Sequence, residues 1–432
     1  MRLARGRPTS DAAAVSSRAR VVTGPVVADR GLVAVSGSVS WDDAAKDELY
    51  VAVEARHGRL LGASPESLLL GVLPAASSRG TAAIQVDKPV DPLLLDGLEV
   101  IQEYHRIWYG LPPVAVEATP ARAAVAGPRG TGLFMSGGVD SMASLWRNLR
   151  RYPVGHPGRV TYALFVDFVG PAHLADLDGQ HRRATTQRAG WLTGAMAEMG
   201  VTLVPVVTNF RVLDGYEFGT DWTRHSHGTL LAAVAHAFGP ALSRVLIASS
   251  YWAGRLEPWG SHPLTDPRAS TSSMTITHDN EQARRLDKLR QLVDWPAGLA
   301  LLDVCSFWRE RERPDVNCGR CEKCQRTMAS LVAVGVEPSG LASFAGLDVS
   351  PGTIAAINRL GSNGLRGAWG DIQDQLPAER HALRRAVALL LARDRVATPL
   401  QRRLGRRALA VAKYVRGRTV AQRAGRRGVQ DR

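Results

Sequence analysis

Cysteine is nearly absent from this sequence: the 432 residues contain four, and all four lie between positions 305 and 324. A disulfide framework spreads its cysteines along a small secreted domain, so this distribution argues against one. No apolar run approaches the ~20 residues that a bilayer-spanning helix needs. The segment 1–20 also lacks the apolar stretch of a secretory signal. These absences predict a cytoplasmic protein that uses no membrane, with a disordered leader over residues 1–20.

An excess of charge is missing from the body of the chain, although the net charge is +14. Residues 401–432 hold ten arginines and Lys413 against Asp431, and residues 1–20 hold five arginines against Asp11. Between these ends, 38 basic residues balance 38 acidic ones. Nucleic acid as the main substrate predicts a basic face on the folded body, so it is not favoured. The basic tail alone leaves contact with RNA, acidic lipid or an acidic partner open.

The length predicts two or three domains. Residues 21–118 combine alternating apolar runs around an Asp-Arg-Gly turn with a helical pattern after Asp91-Pro92, which predicts an N-terminal α+β domain of unknown role. Residues 131–335 alternate apolar strands with helices, as in a parallel, doubly wound α/β sheet covered on both faces. Residues 336–400 are predicted to be a helical extension, followed by the basic tail 401–432.

A Walker A lysine is missing too, although a glycine-rich turn follows the first strand of the α/β region. The stretch TGLFMSGGVDSMASLWRNL, residues 131–149, predicts a buried strand, a turn and a helix. No Gly-Lys-Ser/Thr follows, so transfer of a γ-phosphoryl group is the weaker interpretation. A helix that starts at the carboxyl end of such a strand attracts phosphate, and glycines let backbone amides approach it. The alternative is an ordinary strand–helix turn with a serine cap.

The turn resembles the SGGxDS loop of the PP-loop ATP pyrophosphatases, the adenine nucleotide α-hydrolase-like superfamily. This resemblance implies a HUP/Rossmann-like fold in which Mg²⁺ and the loop hold the phosphates of ATP. A substrate oxygen then attacks the α-phosphate, which gives an adenylate and pyrophosphate. The implied nucleotide-binding residues are Ser136, Gly137, Gly138, Val139, Asp140 and Ser141, and the resemblance assigns Asp140 and Ser141 to catalysis as well.

Three further positions match the superfamily less closely. Asp167 ends the second predicted strand, where the superfamily places adenine. Arg224, followed by Ala232-Ala233, is similar to an arginine of the 7-cyano-7-deazaguanine synthases, but His225 stands where those enzymes have asparagine. Lys288 approximately matches a lysine near the nucleotide. A serine pair also replaces the superfamily's glycine after the next strand.

The cysteine spacing predicts a metal site formed by Cys305, Cys318, Cys321 and Cys324. Four thiolates this close suit tetrahedral zinc. An iron–sulfur cluster is the rival, although Met328 departs from the ferredoxin spacing, and redox-active or sulfur-carrying thiols are a third alternative. An upstream cysteine followed by Cys-x₂-Cys-x₂-Cys resembles the zinc site of the 7-cyano-7-deazaguanine synthases. The longer spacer after Cys305 indicates a divergent member with a structural zinc.

The substrate loop of those synthases, Tyr-Pro-Asp-Cys-Arg, is absent. Trp259-Gly-Ser-His262-Pro occupies the region, and we expect an aromatic face there with His262 as general base. A glycine–proline turn around a packed tryptophan is the equal alternative. His278-Asp279 forms either a pair of functional groups or the capped end of a strand. These departures argue against the deazaguanine substrate itself.

The expected activity is that of an ATP-dependent ligase or synthetase. It activates a carboxylate or amide oxygen of a small molecule for attack by an amine or ammonia. Every cysteine belongs to the cluster, so none remains for a glutaminase, and ammonia is free or comes from a partner protein. The alternatives are a tRNA-modifying PP-loop enzyme of the sulfurtransferase or lysidine type, and a non-catalytic nucleotide-binding component of a conflict or defence system.

Overall fold

The computed structural model describes residues 17–42, 45–122, 129–169, 179–213, 222–307, 315–357 and 360–395, without the side chains of 179–188. The leader expected over 1–20 lies almost wholly outside the described residues, and the basic tail 401–432 lies entirely outside them. Within the described ranges, none of the helices combines the length and the apolar character needed to cross a bilayer.

The chain divides into two compact units. The first unit comprises Met1–Trp252 and Pro258–Gln282, and the second comprises Ala253–Glu257 and Ala283–Arg432. These bounds differ from the domains expected from the sequence, because the strands of the 21–118 region and those of the α/β region belong to one ten-stranded sheet. The cysteine cluster, which was expected to share a domain with the glycine loop, falls in the second unit.

The first unit opens with three antiparallel strands, β1 (Arg18–Asp29), β2 (Leu32–Trp41) and β3 (Lys46–Glu54). The turn between β1 and β2 has positive φ at both central residues, 45° at Arg30 and 81° at Gly31. This turn class matches the right-handed twist of a hairpin. The hairpin predicted around Asp-Arg-Gly is therefore confirmed.

Two helices cover this part of the sheet: α1 (Pro65–Arg79), followed by β4 (Ala83–Val86), and α2 (Pro92–Tyr109), followed by β5 (Ala115–Glu117). The helix predicted after Asp91 is confirmed, and the Asp91 side chain accepts the Leu93 N–H at 2.9 Å as its N-terminal cap. The sequence did not predict α1. It is buried from Ser67 to Ser77 without a break, so it has no polar face to mark a helical period.

The α/β region alternates strands and helices in the predicted order. Its described part contains five strands and three helices. They are β6 (Gly130–Phe134), α3 (Val139–Arg151), β7 (Val160–Phe168), α4 (Gly179–Glu198), β8 (Thr202–Thr208), α5 (His227–Ala237), β9 (Leu242–Ala248) and β10 (Thr275–Asp279).

The sheet order is β10-β9-β6-β7-β8-β3-β2-β1-β4-β5. The five strands from β10 to β8 are mutually parallel, and in chain order they run 5-4-1-2-3. This is the order of a Rossmann-like sheet, whose direction of winding reverses between the first and fourth strands. The predicted α/β class with a largely parallel, wound sheet is confirmed. The reversal lies between β6 and β9, where the glycine loop follows β6.

The antiparallel pairing of β3 with β8 joins the two halves of the sheet. Beyond the last paired residues, the side chain of Asn209 continues the ladder. Its Oδ1 accepts the Tyr50 N–H at 3.0 Å, and its Nδ2 donates to the Glu48 carbonyl at 2.7 Å. Thr208 Oγ1 donates to the Tyr50 carbonyl at 2.7 Å. Two buried side-chain bonds and one partly buried bond therefore close a junction between strands far apart in sequence.

The second unit is helical in its described part. Its helices are α6 (Arg285–Val293), α7 (Pro296–Ala300), α8 (Glu322–Ala333), α9 (Pro351–Ala355), α10 (Asn363–Gln375) and α11 (residues 381–395). They pack around a shared apolar core that includes Leu286, Ala329, Trp369 and Leu390. The described residues of 336–400 thus form short helices and turns.

Replacing Asn209 by alanine removes both bonds of the β3–β8 junction that this side chain makes. It leaves the buried Tyr50 N–H unsatisfied and removes the donor to the Glu48 carbonyl, so we expect a loss of about 1–3 kcal/mol of unfolding free energy. Urea unfolding measures this loss, and the Tyr50 amide should exchange hydrogen faster. Asn363→Ala, at an exposed position of α10, is the matched control and should change stability by less than about 0.5 kcal/mol. Equal stability of the two variants would contradict the role of the junction.

Candidate functional site

The loop between β6 and α3 opens at the reversal of the sheet. Met135 N donates to the Leu164 carbonyl at 2.9 Å, which keeps the chain on the sheet up to the loop. Gly137 then has a φ of +77°, a conformation that side-chain-bearing residues rarely adopt. Gly138 is the N-cap, and the first turn of α3 follows. In such a turn the leading amides have no acceptor within the helix, so they face whatever lies beyond its end.

Two serine hydroxyls close the loop on itself. Ser141 Oγ donates to the Gly138 carbonyl at 3.1 Å and accepts the Ser136 N–H at 3.3 Å. The two hydroxyl oxygens are 3.2 Å apart, and Ser136 Oγ accepts the Gly138 N–H at 3.3 Å. Ser141 is buried and Ser136 is exposed, so one serine fixes the turn from inside while the other reaches solvent. Val139 is buried beneath the loop, and Asp140 is half-buried in the first turn of α3.

Asp167 lies beside this loop because of the strand register. Phe134, the last residue of β6, is paired with Leu164, so Asp167 stands three positions further along β7, about 10 Å beyond that pair. Its side chain is half-buried. The structure therefore brings Asp167 and residues 136–141 to the same edge of the sheet, which we call the carboxyl edge because the parallel strands end there.

Arg224 and Lys288 have different surroundings. Arg224 is exposed, in the turn Trp222–Ser226 that leads into α5, and its carbonyl accepts the Tyr109 hydroxyl at 2.6 Å. Because α5 runs back across the sheet to β9, this turn also belongs to the carboxyl edge. Lys288 is buried on α6 in the second unit. The residues expected to bind the nucleotide are thus divided between the two units.

His278 and Asp279 do not pair with each other, because neighbouring strand residues point to opposite faces. The carboxylate of Asp279 forms an ion pair with Arg147 of α3, which ties the helix of the glycine loop to the end of β10. His278 Nδ1 lies 2.8 Å from Oδ2 of Asp266, and both side chains are buried. Sequence reasoning named neither Arg147 nor Asp266, since no local pattern joins residues so far apart.

Asp266 organises the turn that contains His262. Its Oδ2 also accepts the Ser261 hydroxyl at 2.6 Å, and its Oδ1 accepts the His262 N–H at 3.2 Å. The His262 ring packs against Trp108 at a centroid distance of 4.8 Å, and its Nδ1 accepts the Leu264 N–H at 3.1 Å. Burial lowers the pKa of His262, so the ring is neutral at pH 7. The turn is therefore held by specific polar contacts in addition to its Gly-Pro sequence.

A chain of rings follows the carboxyl edge. Phe168 contacts Trp222 at 4.6 Å, Trp222 lies 5.7 Å from His227, His227 lies 6.3 Å from Trp259, and Trp259 contacts Tyr251 at 5.1 Å. These residues lie at the end of β7, at the start of α5 and after β9, in the segments that parallel strands bring to one edge. Aromatic and imidazole faces of this kind suit a planar ligand. The aromatic face expected near Trp259 is present and is more extensive than the sequence indicated.

The four cysteines of the second unit converge on one point. Their sulfurs all lie within 4.8 Å of one another, with 3.7 Å between Cys318 and Cys324 and 3.3 Å between Cys321 and Cys324. Tetrahedral zinc with bonds of about 2.3 Å requires sulfurs about 3.8 Å apart. The set can therefore hold a divalent metal after small shifts of the side chains, and the described residues contain no other group of this kind.

Local backbone geometry positions the sulfurs. Cys321 caps the N-terminus of α8, whose dipole favours a thiolate there, and Cys324 lies in the first turn of that helix. Cys318 Sγ accepts the Cys321 N–H at 3.4 Å, and Cys305 Sγ accepts the Phe307 N–H at 3.3 Å. The hydrogen bond between Cys321 and Cys324 lowers the pKa of Cys321 to about 4 and raises the pKa of Cys324.

Asn317 joins the two chain segments that carry the ligands. Its Oδ1 accepts the Val304 N–H at 2.9 Å, and its Nδ2 donates to the Leu302 and Ser343 carbonyls at 2.8 and 2.9 Å. This buried side chain therefore sets the distance between Cys305 and Cys318, which the sequence places thirteen positions apart. Arg326, which lies two residues after Cys324, forms an ion pair with Glu322 at 2.9 Å.

We expect purified protein to hold about one zinc per chain, and Cys321→Ser to lose it, because the hydroxyl is a poor zinc ligand. Elemental analysis measures the metal, and acidification should release it as protons compete for the sulfurs. Lys323→Ala, exposed between two of the cysteines, is the control that should keep its zinc. Iron with visible absorption would show instead that the cluster alternative is correct.

Asn317→Ala keeps all four sulfurs but removes the brace between their segments. We expect its zinc affinity to fall about 10- to 100-fold, the usual effect of losing a group that orients ligands. Competition with a chromogenic chelator measures the affinity. Asn317→Asp keeps the Oδ1 acceptor and loses the donor, so it should fall between the wild type and alanine. Unchanged affinity in both variants would contradict the bracing role.

Comparison with known proteins gives no relative: the chain matches no protein-family model, no curated protein and no solved structure. The likeness to PP-loop enzymes therefore depends on residues 136–141, on the cysteine spacing and on the strand order. What stands directly on the structure is an α/β sheet with Rossmann-like strand order, joined in sequence to a helical unit whose four cysteines fit a metal ion.

Proposed function

We propose that the protein is a PP-loop-type, ATP-dependent adenylating enzyme that cleaves ATP to AMP and pyrophosphate. The single observation that supports this most is the position of Ser136–Ser141. The loop occupies the reversal between β6 and β9 and leads into the N-terminus of α3, where Rossmann-like sheets bind their ligands. A glycine at positive φ, two interlocked hydroxyls and the first-turn amides are the kinds of group that bind phosphate at the start of a helix.

Within this proposal each loop residue has a separate task. The amides of α3 and the exposed hydroxyl of Ser136 bind the phosphates of ATP, while Ser141 holds the turn closed. Asp140, in the first turn, holds Mg²⁺, whose chemistry is to neutralise charge on the departing pyrophosphate. Asp167, at the end of the neighbouring strand, faces the nucleoside. No lysine follows the glycines, which fits attack at the α-phosphate better than transfer of the γ-phosphoryl group.

The substrate that ATP activates and the nucleophile are each proposed as a chemical class. A carboxylate or amide oxygen of a small molecule attacks the α-phosphorus, and an amine or ammonia then displaces AMP. The rings along the carboxyl edge offer a face for a planar substrate. The cysteine cluster supports the fold of its own unit as a structural zinc site, because four protein thiolates leave no open position on the metal.

The convergence of the four sulfurs argues against the tRNA sulfurtransferase alternative. A thiol that carries sulfur must be accessible and separate from metal ligands, whereas Cys305, Cys321 and Cys324 are buried and all four sulfurs lie together. In the non-catalytic alternative the protein binds the nucleotide but does not cleave it. Measuring turnover of ATP therefore distinguishes this alternative from the proposal.

The test is release of pyrophosphate from ATP·Mg²⁺ across a library of carboxylates, with the nucleotide product identified by chromatography. We expect AMP with at least one library compound, and a loss of about 100-fold or more in Asp140→Ala, since electrostatic groups of this type contribute that much. Gly137→Ala should weaken ATP binding, because φ of +77° strains alanine and relief of that strain displaces the amides of the loop.

The matched control is Gly155→Ala, which has the same backbone strain at φ +84° but open space around the added methyl. It should bind ATP like the wild type. ADP as the product would contradict adenylation. ATP binding without any turnover would support the non-catalytic alternative.

A further inference from the structure

Two histidines at the carboxyl edge are held as opposite tautomers by backbone groups. A ring nitrogen that contacts a carbonyl oxygen must donate, because the carbonyl can only accept. A ring nitrogen that contacts a backbone N–H must accept. The partner of one nitrogen therefore fixes the role of the other in a neutral ring. His227 and His262 each meet one of these conditions.

His227 can accept a proton or a hydrogen bond at Nε2. Its Nδ1 lies 3.1 Å from the Thr223 carbonyl and 3.3 Å from the Trp222 carbonyl, so Nδ1 carries the proton. The lone pair is consequently on Nε2. Burial lowers the pKa of His227, which keeps this lone pair unprotonated at neutral pH.

His262 can donate a hydrogen bond from Nε2. Its Nδ1 accepts the Leu264 N–H at 3.1 Å, so the proton of the neutral ring is on Nε2. The lone pair that a base would use is already engaged. In the described residues, both rings make their hydrogen bonds at Nδ1 and none at Nε2, so Nε2 is the ring atom that each histidine can offer to a ligand.

A tight backbone contact holds the two segments together. Gly228 N donates to the Gly260 carbonyl at 2.7 Å, and Gly260 N donates to the Thr223 carbonyl at 3.0 Å. A β-carbon at Gly228 would lie 2.4 Å from Asp266 Oδ1 and 2.5 Å from the Gly260 carbonyl oxygen, so only glycine permits this approach. The clamp fixes the start of α5, with His227, against the turn that carries His262.

We propose that His227, not His262, is the general base of the acyl-transfer step, and that His262 is a fixed hydrogen-bond donor to the same substrate. The proposal rests on the proposed adenylating function. The amine nitrogen attacks the acyl carbon of the adenylate and forms the C–N bond. The bond from that carbon to the phosphate oxygen breaks, and AMP leaves with the electron pair. The proton lost by the amine goes to Nε2 of His227 and from there to water.

The groups around His227 are compatible with this role. From its own turn, Arg224 and His225 precede it, and from the facing segments Asp266 and His278 act on its charge. Asp266 is already bonded to Ser261, to the His262 amide and to His278. Asp266 favours the protonated ring that forms during transfer, while His278 opposes it. Base catalysis should therefore fail as the pH falls through the lowered pKa of His227.

The tautomers can be tested without a substrate. Diethyl pyrocarbonate acylates an unprotonated, accessible imidazole nitrogen, and peptide mass spectrometry locates the product. On the full folded chain at pH 7 we expect His227 to react more slowly than exposed His381, and His262 to react at least tenfold more slowly than His227. Faster reaction at His262 than at His227, or no reaction at His227 until the protein is unfolded, would overturn the assignment.

The catalytic role needs a second measurement, made with a carboxylate that supports pyrophosphate release. His227→Asn keeps a donor near the position of Nδ1 but has no base. It should form hydroxamate from the adenylate and hydroxylamine at the wild-type rate, yet form amide with ammonia about 100-fold more slowly, the usual contribution of a base. Free imidazole should restore amide formation in His227→Ala.

The two failures are distinguishable. If no carboxylate releases pyrophosphate, the proposed function is wrong, and the base role falls with it. If hydroxamate forms normally and amide formation is unchanged in His227→Asn, adenylation stands and His227 is not the base. His262→Asn, tested in parallel, should weaken substrate binding and leave the pH profile in place; loss of the low-pH limb in that variant instead would make His262 the base.

Discussion

The reversal of winding between β6 and β9 is the constraint on which the candidate site depends. Neighbouring helices cross to opposite faces there, so the chain after β6 enters α3 without another helix covering its end. The ion pair of Arg147 with Asp279 ties α3 to the far strand of the same half-sheet. Because the loop, Asp167 and the turn before α5 all follow parallel strands, one topological feature places them at a common edge. A ligand bound at this edge would therefore lie near the loop, Asp167 and the turn before α5.

Local sequence patterns predicted much of the fold. The parts that they did not predict either lack a periodic pattern or depend on residues far apart in the sequence. Apolar runs predicted β6 to β9 because strands buried on both faces are continuous in hydrophobicity. The Asp91 cap and the Arg30-Gly31 turn also depend on neighbouring residues alone. In contrast, α1 is buried nearly all round and so carries no periodic signal, and the pairing of β3 with β8 joins residues more than 150 positions apart. That pairing merged two expected domains into one sheet.

The candidate site divides in the same way. Residue types at fixed spacing identified Ser136–Ser141 and the four cysteines, because phosphate cradles and tetrahedral metals impose spacing on the chain. Asn317 braces the segments that carry the cysteines, Arg147 ties down the helix after the glycine loop, and Asp266 holds the turn that contains His262. Asn317, Arg147 and Asp266 each bond to a residue outside their own turn or helix. A single sequence contains no signal for such pairs. Histidine roles were equally hidden, since the tautomer depends on which backbone atom the ring meets.

Proton transfer places a further demand on the edge that phosphate binding does not. A cradle of amides stabilises charge but cannot remove a proton from an incoming amine, so acyl transfer needs a neutral base within the same pocket of the fold. Burial supplies neutrality, and the Thr223 carbonyl facing Nδ1 of His227 leaves the lone pair of that ring on Nε2. The Leu264 N–H facing Nδ1 of His262 has the opposite effect. Gly228 and Gly260 bring the two segments that carry these rings into contact, while the local backbone contact of each ring decides which histidine can accept a proton.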